Sequence, residues 1–141
     1  MRTLTVFCFL LLSACTQSQN FELVGDSIPK PLSNLVGNPD NGNILFSTRS
    51  DAHCVLCHKH DTSDADFQGN LGPDLTAVQK RLSIGQIRLR IVDYDLVKPE
   101  TTMPSYYRTD DLHQLATEKI GKTVLTAQEI EDIIAFLTYE N

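Results

Sequence analysis

Apolar residues are grouped along the chain, and the spacing inside each group predicts a helix. In "LTAQEIEDIIAFLTYEN" Ile130, Ile133, Ile134 and Leu137 fall on one helical face. Thr126 precedes them as an N-cap, with Glu129 placed to complete a capping box. "RLSIGQIRLRIVDYD" carries Leu82, Ile84, Ile87, Leu89, Ile91 and Val92 behind Ser83, a helix-like set, although the alternation in "IRLRIV" also fits a strand. In "GNPDNGNILFSTR" Asn38 suits an N-cap, Pro39 the first turn and Asp40 the positive end of the dipole. Ile44, Leu45 and Phe46 follow, so a short helix over 39–49 is expected. "FQGNLGPDLTAV" reads as a loop with one helical turn near its end, and Pro99 and Pro104 make "KPETTMPSYY" another loop. The expected fold is all-α, three or more helices joined by long loops, with no internal repeat. So small a domain needs something besides side chains in its core, and a large buried cofactor meets that need.

The N-terminal pattern differs. Met1 and Arg2 precede "TLTVFCFLLLSA", an apolar run shorter than the ~20 residues of a membrane-spanning helix. A basic start, a short apolar stretch and small residues at its end predict a secretory signal over 1–14. "LSAC", Leu12 to Cys15, resembles the lipobox of bacterial lipoproteins, in which the cysteine is lipidated after cleavage. Ordinary cleavage near Ala14, with Cys15 incidental, is the alternative. Residues 15–36, interrupted by Pro29 and Pro31, read as the lipid-anchored N-terminus and a flexible tether, and 37–141 as the folded domain. The chain carries 12 Lys+Arg against 18 Asp+Glu; without Arg2 the balance is 11 against 18, a net charge of −7. That excludes a nucleic-acid or anionic-membrane surface as the partner of the folded domain.

Charge leaves the chemistry open, and the cysteines narrow it. Cys8 lies in the signal and Cys15 at the lipidation site, which leaves Cys54 and Cys57 in the domain. Both sit in "DAHCVLCHKH". A zinc site needs four ligands, usually as two pairs, and only one pair is present, so His53, His58, His60 or His113 would have to complete it. A redox dithiol needs a βαβ context that the helical pattern does not offer. The third reading is C-x-x-C-H, the c-type haem attachment signature. There the two thiols add across the haem vinyl groups as thioethers, and His58 comes up beneath the iron as proximal ligand. Attachment outside the cytoplasm agrees with the export signal. Met103, the one methionine outside the signal, lies in a Pro-bounded loop and is the expected distal ligand; His113 is the alternative. A carbonyl near Pro73 in "GPDL" is the expected acceptor for the second ring nitrogen of His58. His53 and His60 are expected to face solvent.

With these residues in hand the chain resembles the class I cytochromes c: a first helix, "CVLCH", "GPDL", a methionine loop and a last helix in order. The resemblance implies close crossing of the first and last helices, with Gly42 permitting the approach and Phe46 and Phe136 nearby. A narrower resemblance rests on "FQGNLGPDL", "GQIRLRIVD", "TTMPSYYRTD" and "LTAQEIEDIIAFL", and covers about Leu35 to Leu137. These segments are similar to SoxX, the monohaem subunit family of the SoxAX sulfur-oxidation complex. The resemblance implies one covalent haem c on Cys54 and Cys57, with His58 and Met103 as iron ligands. It also implies a SoxA-like haem partner, a SoxYZ-like carrier whose cysteine is coupled to thiosulfate (an L-cysteine S-thiosulfotransferase complex), and a downstream cytochrome acceptor. No residue of this chain would be catalytic. A periplasmic setting follows, although lipidation at Cys15 departs from the usual soluble form. A stand-alone or membrane-tethered cytochrome shuttle is the alternative function. Tyr106, Tyr107 and Arg108 would serve either a docking surface or the haem pocket.

Overall fold

The computed structural model describes residues 21–50, 52–112 and 117–139. Its helices are α1 (Pro39–Ser47), the single turn α2 (Cys54–Cys57), α3 (Ile84–Asp93) and α4 (Ala127–Thr138). Short 3-10 turns lie at Val78–Lys80, Tyr94–Leu96 and Thr117–Lys119. Among the described residues there is no strand beyond an isolated bridge between Val24 and Ser27. None of the described helices is long and apolar enough to cross a membrane. The signal 1–14, Cys15 and His113 lie outside the described residues.

Local chemistry sets the helix ends. The Asn38 side chain accepts from the backbone N–H of Asp40 at 3.0 Å and of Asn41 at 3.3 Å, and opens α1. The helix stops at Ser47, two residues short of the expected 49, because Thr48 is already extended. Ser83 and Gln86 form a reciprocal capping box at 2.9 and 3.3 Å, which decides the helix-or-strand question for α3. Thr126 and Glu129 form the expected box on α4.

α1 and α4 cross closely. A Cβ on Gly42 would lie 2.0 Å from the Asp132 carbonyl oxygen, so only glycine admits this approach. Phe46 and Phe136 meet beside the crossing with ring centroids 5.4 Å apart. Asp132 then ties the helices together, accepting from Asn38 N at 2.8 Å and Asn41 Nδ2 at 2.7 Å. His60, expected in solvent, is 6% exposed and packs on the Phe136 ring at 4.5 Å. Two segments far apart in sequence close over it, and burial pushes its pKa below the usual histidine value.

The expected flexible tether over 15–36 is corrected from Phe21 onward. Residues 21–33 form a strap across α3 and α4, and Ile28, 1% exposed, joins the core. Ile28 N donates to Gly85 O at 3.0 Å, and a Cβ on Gly85 would strike Ser27 Oγ at 2.2 Å. Arg88 and Glu131, both buried, pair through two hydrogen bonds of 2.7 and 2.9 Å. Arg88 Nη1 also donates to Ile28 O at 2.7 Å, and Glu131 accepts from Leu32 N at 2.9 Å. Polar composition and two prolines conceal the strap in the sequence; its hold comes from partners far along the chain.

Candidate functional site

The site begins at the turn α2. His53 takes a left-handed φ of 58° and swings the chain into the turn, which His58 closes by donating its N–H to Cys54 O at 2.9 Å. The following loop runs back along this segment. Gly69 N reaches Val55 O, Gly72 N reaches Cys57 O and Leu75 N reaches Lys59 O, each at 2.8 Å. Gly72 lies so close under the His58 ring that a Cβ would sit 2.3 Å from its Cε1. His58 Nδ1 is 2.8 Å from the Pro73 carbonyl. A carbonyl only accepts, so Nδ1 carries the hydrogen in the neutral ring and Nε2 keeps its lone pair for a metal. The acceptor expected in "GPDL" is therefore in place.

Cys54 and Cys57 are unpaired and half-buried. Burial pushes the Cys54 thiol up to about 12, the opposite of the lowered thiol that disulfide exchange requires. Among the described residues no three His, Cys, Asp or Glu side chains converge on a point that could hold an ion, so the zinc tetrad does not form there.

Met103 borders the same space. Its N–H donates to Thr101 Oγ1 at 3.2 Å, and the loop continues to Tyr106 and Tyr107, whose N–H groups reach Ile91 O and Val92 O. The space consists of two cavity lobes of about 320 and 350 Å³, both lined by His58, Pro73, Tyr94 and Met103. Cofactor pockets typically measure roughly 300–1,000 Å³. Cys54 and Cys57 border the first lobe; Leu75, Val78, Ile87 and Ile91 make the second apolar, with Arg81 and Arg90 in its wall. Two neighbouring thiols, an oriented imidazole, a thioether, apolar walls and guanidinium groups in one lining together fit a flat, carboxylate-bearing tetrapyrrole.

This arrangement has a counterpart among solved structures. A chain of the crystal structure of SoxXA from P. pantotrophus matches with a TM-score of 0.75 and 28% identity, covering 84% of this chain and 92% of that one. The chain is similar in fold to that SoxXA chain. It has the class I cytochrome c fold, and haem c is the cofactor this likeness implies. The c-type cytochrome SorU from Sinorhizobium meliloti is similar at a TM-score of 0.44 and 21% identity, covering 70% of this chain and 85% of that one. Neither a protein-family model nor a curated protein sequence matches the chain.

Within this site, several residues have roles that spacing alone did not reveal. Gly72 shapes the seat of His58, and its place directly before Pro73 was the available signal. Tyr94 lines both lobes from the turn that follows α3. Tyr106 is 6% exposed and borders the cavity, and burial pushes its phenol above the usual tyrosine value. Its packing puts Tyr106 in the pocket, whereas Arg108 lines neither lobe and pairs with Asp93 and Asp95.

Proposed function

We propose that this chain is the electron-transfer subunit of a complex that oxidatively couples thiosulfate to a carrier-protein cysteine. Cys54 and Cys57 would hold one haem c by thioethers, and His58 and Met103 would bind its iron. The observation that carries the reading is the match over 92% of a chain from a SoxXA structure, with a cavity that His58 and Met103 both line.

When bound, the haem supplies a one-electron ferric/ferrous couple, which a thioether opposite an imidazole sets at relatively high potential. The chain's own residues do the rest. The Pro73 carbonyl fixes the tautomer and plane of His58. Met103 would bind the iron and so keep dioxygen from it. The apolar second lobe keeps water from the cofactor. Joining the sulfane sulfur of thiosulfate to a thiol sulfur releases one proton and two electrons. The substrate is held elsewhere in the complex, and this chain receives the electrons singly and passes them to a downstream cytochrome. A SoxA-like haem protein is the direct partner and a SoxYZ-like protein the carrier. Export by the 1–14 signal places the chain in the periplasm, and lipidation of Cys15 tethers it to a membrane there.

Reconstitution tests this. The mature chain, a SoxA-like protein and the thiol-bearing carrier are mixed with thiosulfate, and the reduced haem band of this chain is followed. Reduction that needs all the components is the expected result. A chain that stays monomeric beside SoxA-like protein, with no thiosulfate-dependent reduction, would contradict it and favour a stand-alone shuttle.

A further inference from the structure

The loop that bears Met103 is pinned by a buried acid. Asp93, the last residue of α3, is 5% exposed. Its carboxylate accepts a hydrogen bond from Ser105 Oγ, two residues beyond Met103. The other oxygen lies 3.3 Å from Arg108 Nη1, which also reaches Asp95 at 3.4 Å. The backbone bonds nearby, Tyr106 N to Ile91 O at 3.3 Å and Tyr107 N to Val92 O at 3.2 Å, are at the long end of the normal range. Hydrogen bonds to a carboxylate are about twice as strong as neutral ones. Asp93, through the bond it accepts from Ser105, is therefore the firmest polar attachment between this loop and the helix that forms the cavity wall. Its contact with Arg108 is no shorter than the backbone bonds. Nothing in the metal chemistry itself calls for a buried carboxylate at that place.

We propose that Asp93 is a positioning residue for Met103. Through Ser105 and Arg108 it holds the loop so that the thioether stays over the cavity, and it sets how readily an outside ligand displaces Met103. The proposal rests on the reading of Met103 as an axial ligand.

Imidazole, which competes for the sixth position of a ferric haem, is the probe. It is titrated into the ferric holoprotein and its affinity read from the absorption spectrum. Asp93→Asn keeps the shape and removes the charge, and is expected to tighten imidazole binding about tenfold or more, the scale of a lost charge-assisted hydrogen bond. Ser105→Ala is expected to tighten it about threefold, and carries the test should Asp93→Asn fail to fold. Glu131→Gln breaks the buried pair with Arg88 away from this loop; it should lower the thermal midpoint and leave imidazole affinity unchanged. Unchanged affinity in both loop variants would overturn the proposal. So would an equal tightening in Glu131→Gln, which would reduce Asp93 to general stability. The far-red methionine–iron band separates this from failure of the underlying reading: present in the wild type and absent in Met103→Ala, it upholds the ligand whatever Asp93 does.

Discussion

Replacing Gly42 by alanine opposes two physical effects of different size. Helix propensity favours alanine in a helix interior by about 1 kcal/mol. The crossing of α1 and α4 opposes it. The new Cβ would lie 2.0 Å from the Asp132 carbonyl oxygen and 2.8 Å from Phe136 Cβ, against a comfortable separation of about 3.5 Å. Opening the crossing by that difference strains a packed core, at about 1–3 kcal/mol. It also stretches the bonds from Asn38 N and Asn41 Nδ2 to Asp132, at about 1 kcal/mol each. The net is a loss of about 2–4 kcal/mol, obtained by setting the propensity gain against these costs. For a domain of this length, at about 4 °C per kcal/mol, the midpoint falls by about 8–16 °C. Thermal unfolding of the haem-loaded protein, followed by far-ultraviolet circular dichroism, reads this directly. A variant at or above the wild-type midpoint would refute the crossing as described.

Three further outcomes are expected. Glu131→Gln leaves the buried Arg88 without its anionic partner and should cost about 3 kcal/mol or more, seen as a lowered urea midpoint. Gly72→Ala drives a methyl group into the His58 ring; the haem-loaded protein should show a disturbed low-spin spectrum or fail to accumulate. Changing Cys54 and Cys57 together to serine should make the haem extractable by acid and acetone, whereas it should stay on the wild-type chain through extraction.

What could be read from the sequence was what neighbouring residues decide. Thr126 with Glu129, and the spacing of Ile130, Ile133 and Leu137, settle α4 within one segment. The contact of His58 in "CVLCH" with the Pro73 carbonyl of "GPDL" could be read for the same reason, since it joins two short neighbouring segments. His60 was hidden because its burial needs Phe46 and Phe136, which come together only when α1 crosses α4. The strap over 21–33 was hidden because Ile28 and Leu32 find partners on Gly85, Arg88 and Glu131. Arg88 and Glu131 look like solvent-facing charges on their own helices, and only their pairing across α3 and α4 makes their burial tolerable. Met103 lay between these cases. Its loop was legible from the prolines, but the attachment of that loop to Asp93 was not.

The absorption spectrum of the purified ferric and reduced protein tests the central claim most directly, that a haem c lies between His58 and Met103. The account predicts a c-type alpha band on reduction and a far-red methionine–iron band in the ferric form that Met103→Ala abolishes. A colourless protein, or a far-red band that survives Met103→Ala, would contradict it.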